Sequence, residues 1–190
     1  INIKKKLKKH TLQTILLHNP WDLNLSQRLL FCSKINELLD KHNVPQWGIS
    51  IYQKEDLIGW KTGPYPFVVQ VPFNIFDQRF KKNKVESLIE RKVIIQARSI
   101  FLKGLILNKQ LINNKWPSEW ISHLESWFSW AEANNFNLLD ICISFLKNNQ
   151  NSYDDILLGV LNIEELKLIL KSFNDEQKRY DIDNFVCNSL

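Results

Sequence analysis

Five times along this chain a short apolar run ends on a polar or small residue, and four of the five runs are followed by a helical pattern before the next. Thr14-Ile15-Leu16-Leu17 runs into His18, Gly48-Ile49 into Ser50, and Phe67-Val68-Val69 into Gln70. Val93-Ile94-Ile95 then runs into Gln96-Ala97-Arg98-Ser99, and Ile156-Leu157-Leu158 into Gly159. Short continuous apolar runs alternating with helical spacing read as parallel strands buried on both faces. Polar groups gathered at the C-terminal ends of such strands are how a (β/α) barrel or an open α/β sheet builds a ligand site.

The 190 residues allow one domain with a sizeable core, and 44% hydrophobic with 24% charged residues is ordinary for a globular chain. No apolar run approaches the roughly 20 residues of a membrane helix, and no apolar segment follows the basic N-terminus as a secretory signal requires. No membrane partner is expected. Three cysteines without metal spacing, Cys32 and Cys142 inside apolar helical patterns, fit buried thiols in a reducing, cytoplasmic setting. Much of the net charge of +5 sits in Lys4, Lys5, Lys6, Lys8 and Lys9. That run reads as a solvated helix face, and basic residues are nowhere interleaved with stacking aromatics, so no nucleic-acid partner is expected. The chain starts at Ile1 and contains no methionine, which reads as a processed chain or a fragment.

Residues 1–10 read as the end of a helix and 12–18 as the first strand, stopped at Pro20. Ser26 is placed to cap a helix reaching Lys41. A second strand is expected at 47–52, a short helix at 54–60 stopped by Gly63-Pro64, and a third strand at 67–71. Residues 77–91 read as mostly helical, with Val85, Leu88 and Ile89 inward, and 93–97 as the fourth strand. The stretch 99–116 is long for a connection, as ligand loops are. Helices are expected at 118–134 and 137–147, a last strand at 155–159, and a helix from Asn162 to Phe173 with capping-box-like spacing to Glu165. Residues 1–174 thus form one α/β body, and 175–190 a polar, loosely attached tail. A complete (β/α)₈ TIM barrel takes about 250 residues, so about five units make a partial barrel. An independent doubly wound sheet is the alternative, but no Gly-rich phosphate turn follows any strand.

Several segments together resemble one family. Leu16-Leu17-His18-Asn19-Pro20, Gly48-Ile49-Ser50 and the stretch from Gln70 to Arg79 are similar to the aldo-keto reductases. Ala97 to Leu105 resembles that family's seventh-strand loop, and Gly159 to Leu166 its eighth-strand junction. The resemblance implies strands four to eight of a (β/α)₈ barrel that moves a hydride between a nicotinamide cofactor, NADPH or NADH, and a small-molecule carbonyl or alcohol. It maps His18 onto the family's catalytic His. The Asp, Tyr and Lys that complete the catalytic set belong to earlier strands, so the activity of this chain alone is doubtful, and the implied partner is the missing N-terminal barrel half or a second chain.

The same resemblance implies that Asn19 and Trp21 line the substrate pocket and that Ser50 and Gln70 hold the nicotinamide carboxamide. Such an amide needs a donor and an acceptor, which a hydroxyl and a side-chain amide supply. Ile51 stands where the family often has Asn. Arg98 takes a position that often carries a stacking aromatic, and its guanidinium can lie flat on a conjugated ring. Ser99, Phe101 and Gly104, with Lys103 nearby, match the loop around the pyrophosphate, and Gly159, Asn162 and Glu165 the junction at the other end of the cofactor. Glu164 and Glu165 there repel a 2′-phosphate but can accept from a ribose hydroxyl, which leaves NADH preference or poor cofactor binding as the two readings. Read without the family, His18, Ser50 and Gln70 are also compatible with plain strand-end hydrogen bonding, and Asn162 with a plain helix cap. Trp116, Trp120, Trp127 and Trp130 read as core packing, and Asp154-Asp155 as a loop feature. The rival readings are a non-catalytic barrel relative that binds a nucleotide, and a truncated barrel that pairs with a partner chain through its open sheet edges.

Overall fold

The computed structural model describes residues 11–60, 65–176 and 178–187. The helix expected over 1–10 and the Gly63-Pro64 stop lie outside them. The strands are β1 (Thr14–Leu17), β2 (Gln46–Ser50), β3 (Val68–Pro72), β4 (Ile94–Arg98) and β5 (Asp155–Ile156). They form one parallel sheet in the order β1-β2-β3-β4-β5, an α/β arrangement as the alternating pattern predicts. The helices are α1 (Leu25–His42), α2 (Lys54–Ile58), α3 (Lys82–Ile89), α4 (Ser118–Ala133), α5 (Leu138–Asn148) and α6 (Ile163–Asn174). Two compact units share the chain: Ile1–Val71 with Lys82–Gln96, and Pro72–Lys81 with Ala97–Leu190.

In the first unit, β1 pairs with β2 and β2 with β3, both in parallel. β2 and β3 are buried almost throughout, which is why apolar residues on both faces mark them in the sequence. The indoles of Trp47 and Trp60, with ring centroids 5.7 Å apart and both meeting Phe31 edge-on, fill the layer between α1 and the sheet. The cap of α1 is Asn24, not Ser26. Asn24 Oδ1 accepts from the Gln27 N–H at 2.9 Å, and Gln27 Oε1 accepts from the Asn24 N–H at 2.9 Å. This reciprocal box starts the helix two residues earlier than the hydroxyl suggested, and the Ser26 hydroxyl donates into it at 3.0 Å. At the far end Asn43 closes the helix in the left-handed region, φ 48°.

The second unit has the larger aromatic core. Trp127 is fully buried, donates its indole N–H to the Ile106 carbonyl at 2.9 Å, and stacks on Trp130 at 5.5 Å. Of the four tryptophans read as core packing, Trp127 is buried in the core, Trp116 and Trp130 are partly buried against it, and Trp120 lies outside that cluster. Cys142 is buried here, and burial pushes its thiol far above the usual range; Cys32 is buried in the first unit.

Three further expectations fail. The helix expected from Asp77 begins only at Lys82, because 74–79 is a hydrogen-bonded loop. The last strand pairs over two residues, not five: as a sheet edge it has ladder partners on one side only, and after the Leu157 N–H reaches the Ala97 carbonyl at 2.8 Å the chain departs. The described part of the tail is packed down rather than loose. Phe185 is buried against Trp127 and Trp130, and the Cys187 N–H donates to the Phe76 carbonyl at 2.7 Å. Its few aromatics have no periodicity, so sequence pattern hides them.

Candidate functional site

In the first unit the strand register does the placing. Leu17 pairs with Ile49, and Ser50 with Gln70. Ser50 and Gln70 therefore make a cross-strand row on β2 and β3, and His18 follows directly after β1, in a bend one residue past its last pair. Side chains two apart share a face, so the row stands on the same face as Leu16, Gly48 and Val68. Gly48 is required there: a Cβ at 48 would meet the Val68 carbonyl oxygen, lie 2.7 Å from Val68 Cβ and 2.8 Å from Leu16 Cδ2.

Ser50 is 1% exposed and Gln70 8%, and the Ser50 hydroxyl donates to Gln70 Oε1 over 3.4 Å. A bond that long is weak. The pair therefore keeps a hydroxyl lone pair and an amide NH₂ to offer a ligand that both donates and accepts, which fits a carboxamide. The Ile51 N–H is spent on the Gln70 carbonyl at 3.0 Å, which ties the two strand ends together.

His18 is exposed, and its Nδ1 lies 2.6 Å from Asn19 Oδ1. With the amide turned this way Nδ1 donates, and a neutral ring presents an acceptor at Nε2. Turning the Asn19 amide so that its NH₂ donates to Nδ1 reverses the tautomer and makes Nε2 a donor. Pro20 at the start of a 3₁₀ turn ends the strand here, and Trp21, also exposed, meets Tyr52 edge-on at 5.6 Å. In the first unit, then, His18 sits beside Asn19 and Ser50 beside Gln70.

In the second unit Arg98, Ser99, Phe101 and Gly104 form a single loop after β4. Arg98 Nη1 donates to Ser99 Oγ at 3.1 Å. Ser99, Leu102, Lys103 and Gly104 all have positive φ, at 58°, 46°, 57° and 87°. Three of these carry a Cβ, a conformation that stores strain and recurs where backbone amides turn toward an anion. Phe101 is buried in the core, so its side chain anchors the loop, and only its backbone is available to a ligand.

Sequence reasoning missed the residue that holds this loop. Asn74 is buried, accepts through Oδ1 from the Phe76 and Asp77 N–H groups at 3.0 Å each, and donates through Nδ2 to the Ser99 carbonyl at 3.2 Å. Asp77, also buried, takes Nε and Nη2 of Arg79 at 2.9 and 2.8 Å, a bond that raises the arginine's pKa. The signal was an Asn closely followed by an Asp after Pro72, an Asx-turn composition overlaid by helix-like apolar spacing.

At the last junction the structure gives Asn162 and Glu165 local work. Asn162 Oδ1 accepts from the Glu165 N–H at 2.8 Å, and Glu165 Oε2 accepts from the Leu161 N–H at 2.8 Å. The reciprocal bond reaches residue 161 rather than the cap residue, which is why the spacing only resembled a capping box. Gly159 has open space around it and no left-handed conformation. Among the described residues no cluster of His, Cys, Asp and Glu could hold a metal ion, and no helix is long and apolar enough to cross a membrane.

Neither a family model nor a curated relative matches the sequence. Solved structures do. The chain is similar to aldo-keto reductase AKR11C1 from Bacillus halodurans, with a TM-score of 0.70 and 13% identity for the apo form and 0.68 and 14% for the holo form. It is also similar to an aldo/keto reductase from Brucella melitensis, at a TM-score of 0.59 and 17% identity. The superpositions cover 96%, 93% and 96% of this chain but 63%, 60% and 62% of those chains. At such identities the likeness carries the fold, and it agrees with the resemblance read from the strand-end segments. The chain has the aldo-keto reductase fold over part of a (β/α)₈ barrel, about three-fifths of the length of the solved structures it matches.

Proposed function

We propose that this chain supplies strands four to eight of an aldo-keto reductase barrel, whose activity is oxidoreduction of a small-molecule carbonyl or alcohol. The cofactor, NADPH or NADH, supplies the hydride chemistry when bound. The single observation that carries this reading is the buried pair of Ser50 and Gln70 on adjacent strands, with His18 directly after the strand beside them. In this role Ser50 and Gln70 hold the carboxamide, and the guanidinium of Arg98 lies against the ring. The strained loop of Ser99, Phe101 and Gly104 turns amides toward the pyrophosphate, while Gly159, Asn162 and Glu165 meet the far end. The acids at 164 and 165 favour NADH.

His18 Nε2 donates to the substrate oxygen and polarises the carbonyl, with Asn19 turned to donate to Nδ1 and Trp21 beside the substrate body. His18 alone does not replace the rest of the catalytic set, which includes the donor of the proton that completes the alcohol. That task belongs to a Tyr, with a Lys beside it lowering the phenol's pKa and an Asp orienting the Lys. These three come from the part of the barrel that the chain does not span, in a cytoplasmic protein of which this chain is a fragment or to which a second chain contributes.

Exposed apolar side chains support completion by further β/α units. In the first unit Ile15 of the edge strand and Leu25, Leu29, Leu30 and Leu38 of α1 are exposed. In the second, Leu161 just before α6 and Ile163, Leu168 and Leu170 along it are exposed, Leu161 by 95%. Reading the coding frame upstream of Ile1 tests the proposal. It expects Asp, Tyr and Lys at the ends of earlier strands, and loss of about 10²-fold in kcat on His18→Ala in the completed protein. An extension without Tyr and Lys contradicts the reductase reading and leaves a nucleotide-binding relative.

A further inference from the structure

The second unit contains a cavity that shares no residue with the candidate site. It measures about 340 Å³ and lies between the loop after β3, the flank of α5 and the tail. That size matches the lower end of small-molecule sites. Its floor is apolar, Ile141 and Phe145, both buried. Its rim carries two cations, Lys81 and Arg179, against one acid, Asp183. Neither Lys81 nor Arg179 has an ion-pair partner among the described residues.

The wall formed by the tail is fixed in place. Asn148 Nδ2 donates to the Lys178 carbonyl at 3.1 Å, and Lys147 Nζ to the Phe173 and Asp175 carbonyls at 3.0 and 2.6 Å. Tyr180, also on the lining, is held edge-on against Phe136 at 5.1 Å. Desolvation and the nearby Asp140 raise its phenol, so it stays a neutral donor at the rim. An apolar floor of ring size beneath two unpaired cations and a phenol is complementary to one kind of ligand.

We propose that this cavity binds a small organic oxyanion on a ring-sized apolar body, the oxyanion between Lys81 and Arg179 and the ring on Ile141 and Phe145. Bidentate and charge-assisted bonds from the guanidinium give the anion its orientation. The proposal is independent of the reductase reading.

Titrating the whole chain with phenyl phosphate, benzoate and inorganic phosphate, followed by NMR amide shifts, tests it. Saturable shifts at Ile141, Phe145 and Tyr180 are expected from at least one of the two ring-bearing anions, with a Kd on the order of 1 mM. Which of the two binds more tightly tells a phosphate-ester ligand from a carboxylate. Inorganic phosphate should bind at least fivefold more weakly. Lys81→Gln and Arg179→Gln lie at the rim, leave the core intact, and should each weaken binding about fivefold to tenfold with an unchanged melting temperature. No saturable shift at these residues from either ring-bearing anion overturns the proposal. So does equal affinity for inorganic phosphate, or a double variant that binds as well as the parent.

Discussion

The strand ends of the first unit and the junction after β5 in the second unit are built in opposite ways. The row stands on paired strands, with Ser50 and Gln70 buried and Gly48 admitting no side chain. The junction follows a strand of two paired residues, with Gly159 in open space and Glu165 partly exposed. One end is placed by backbone register, where a slip of one residue would turn every side chain to the other face. The other is placed by two side-chain caps. The contrast teaches that paired-strand register fixes a side chain more tightly than a local cap does.

Substitutions can break this contrast. Gly48→Val should have the largest effect, lowering stability by about 3 kcal/mol or more, since the new side chain must push β3 or Leu16 aside; denaturant unfolding measures it. Asn162→Ala should cost about 1 kcal/mol by removing the cap of α6, with a smaller effect on cofactor affinity than any change in the row.

The entry to β5 offers a pH test. Tyr153 packs on Phe73, donates its hydroxyl to the Leu146 carbonyl at 2.8 Å, and desolvation pushes its phenol from 10.0 up to about 12. A folded value above the unfolded one means full stability below pH 10 and loss as pH rises from 10 towards about 12. In Tyr153→Phe that part of the alkaline loss should vanish from a series of melting curves. The smallest effect belongs to Gly159→Ala, within about 0.5 kcal/mol of the parent in the same unfolding assay. A large loss there would show that the junction is as constrained as the row.

The row was legible in the sequence because a buried parallel strand announces itself as an apolar run, and its end as the first polar residue. His18, Ser50 and Gln70 each follow such a run. Elements decided by single side chains were not. Asn24 rather than Ser26 caps α1 because a glutamine three residues on completes the box. The loop after β3 escapes the helix that its apolar spacing suggests because Asn74 takes up two backbone amides. The tail is anchored by Phe185, one aromatic in a polar stretch, which no periodicity flags. Local hydrogen bonds and isolated anchors have no period to read.

The central claim is that Ser50 and Gln70 hold a carboxamide. The most direct measurement is a titration of the chain with NADH, read by energy transfer from tryptophan and repeated with Ser50→Ala, Gln70→Ala and, as a comparison, Glu165→Gln. Saturable binding that weakens about tenfold in each row variant, at roughly 1.4 kcal/mol apiece, and less than threefold in Glu165→Gln is the predicted result. Binding that ignores both row substitutions and responds only at Glu165 would contradict the account.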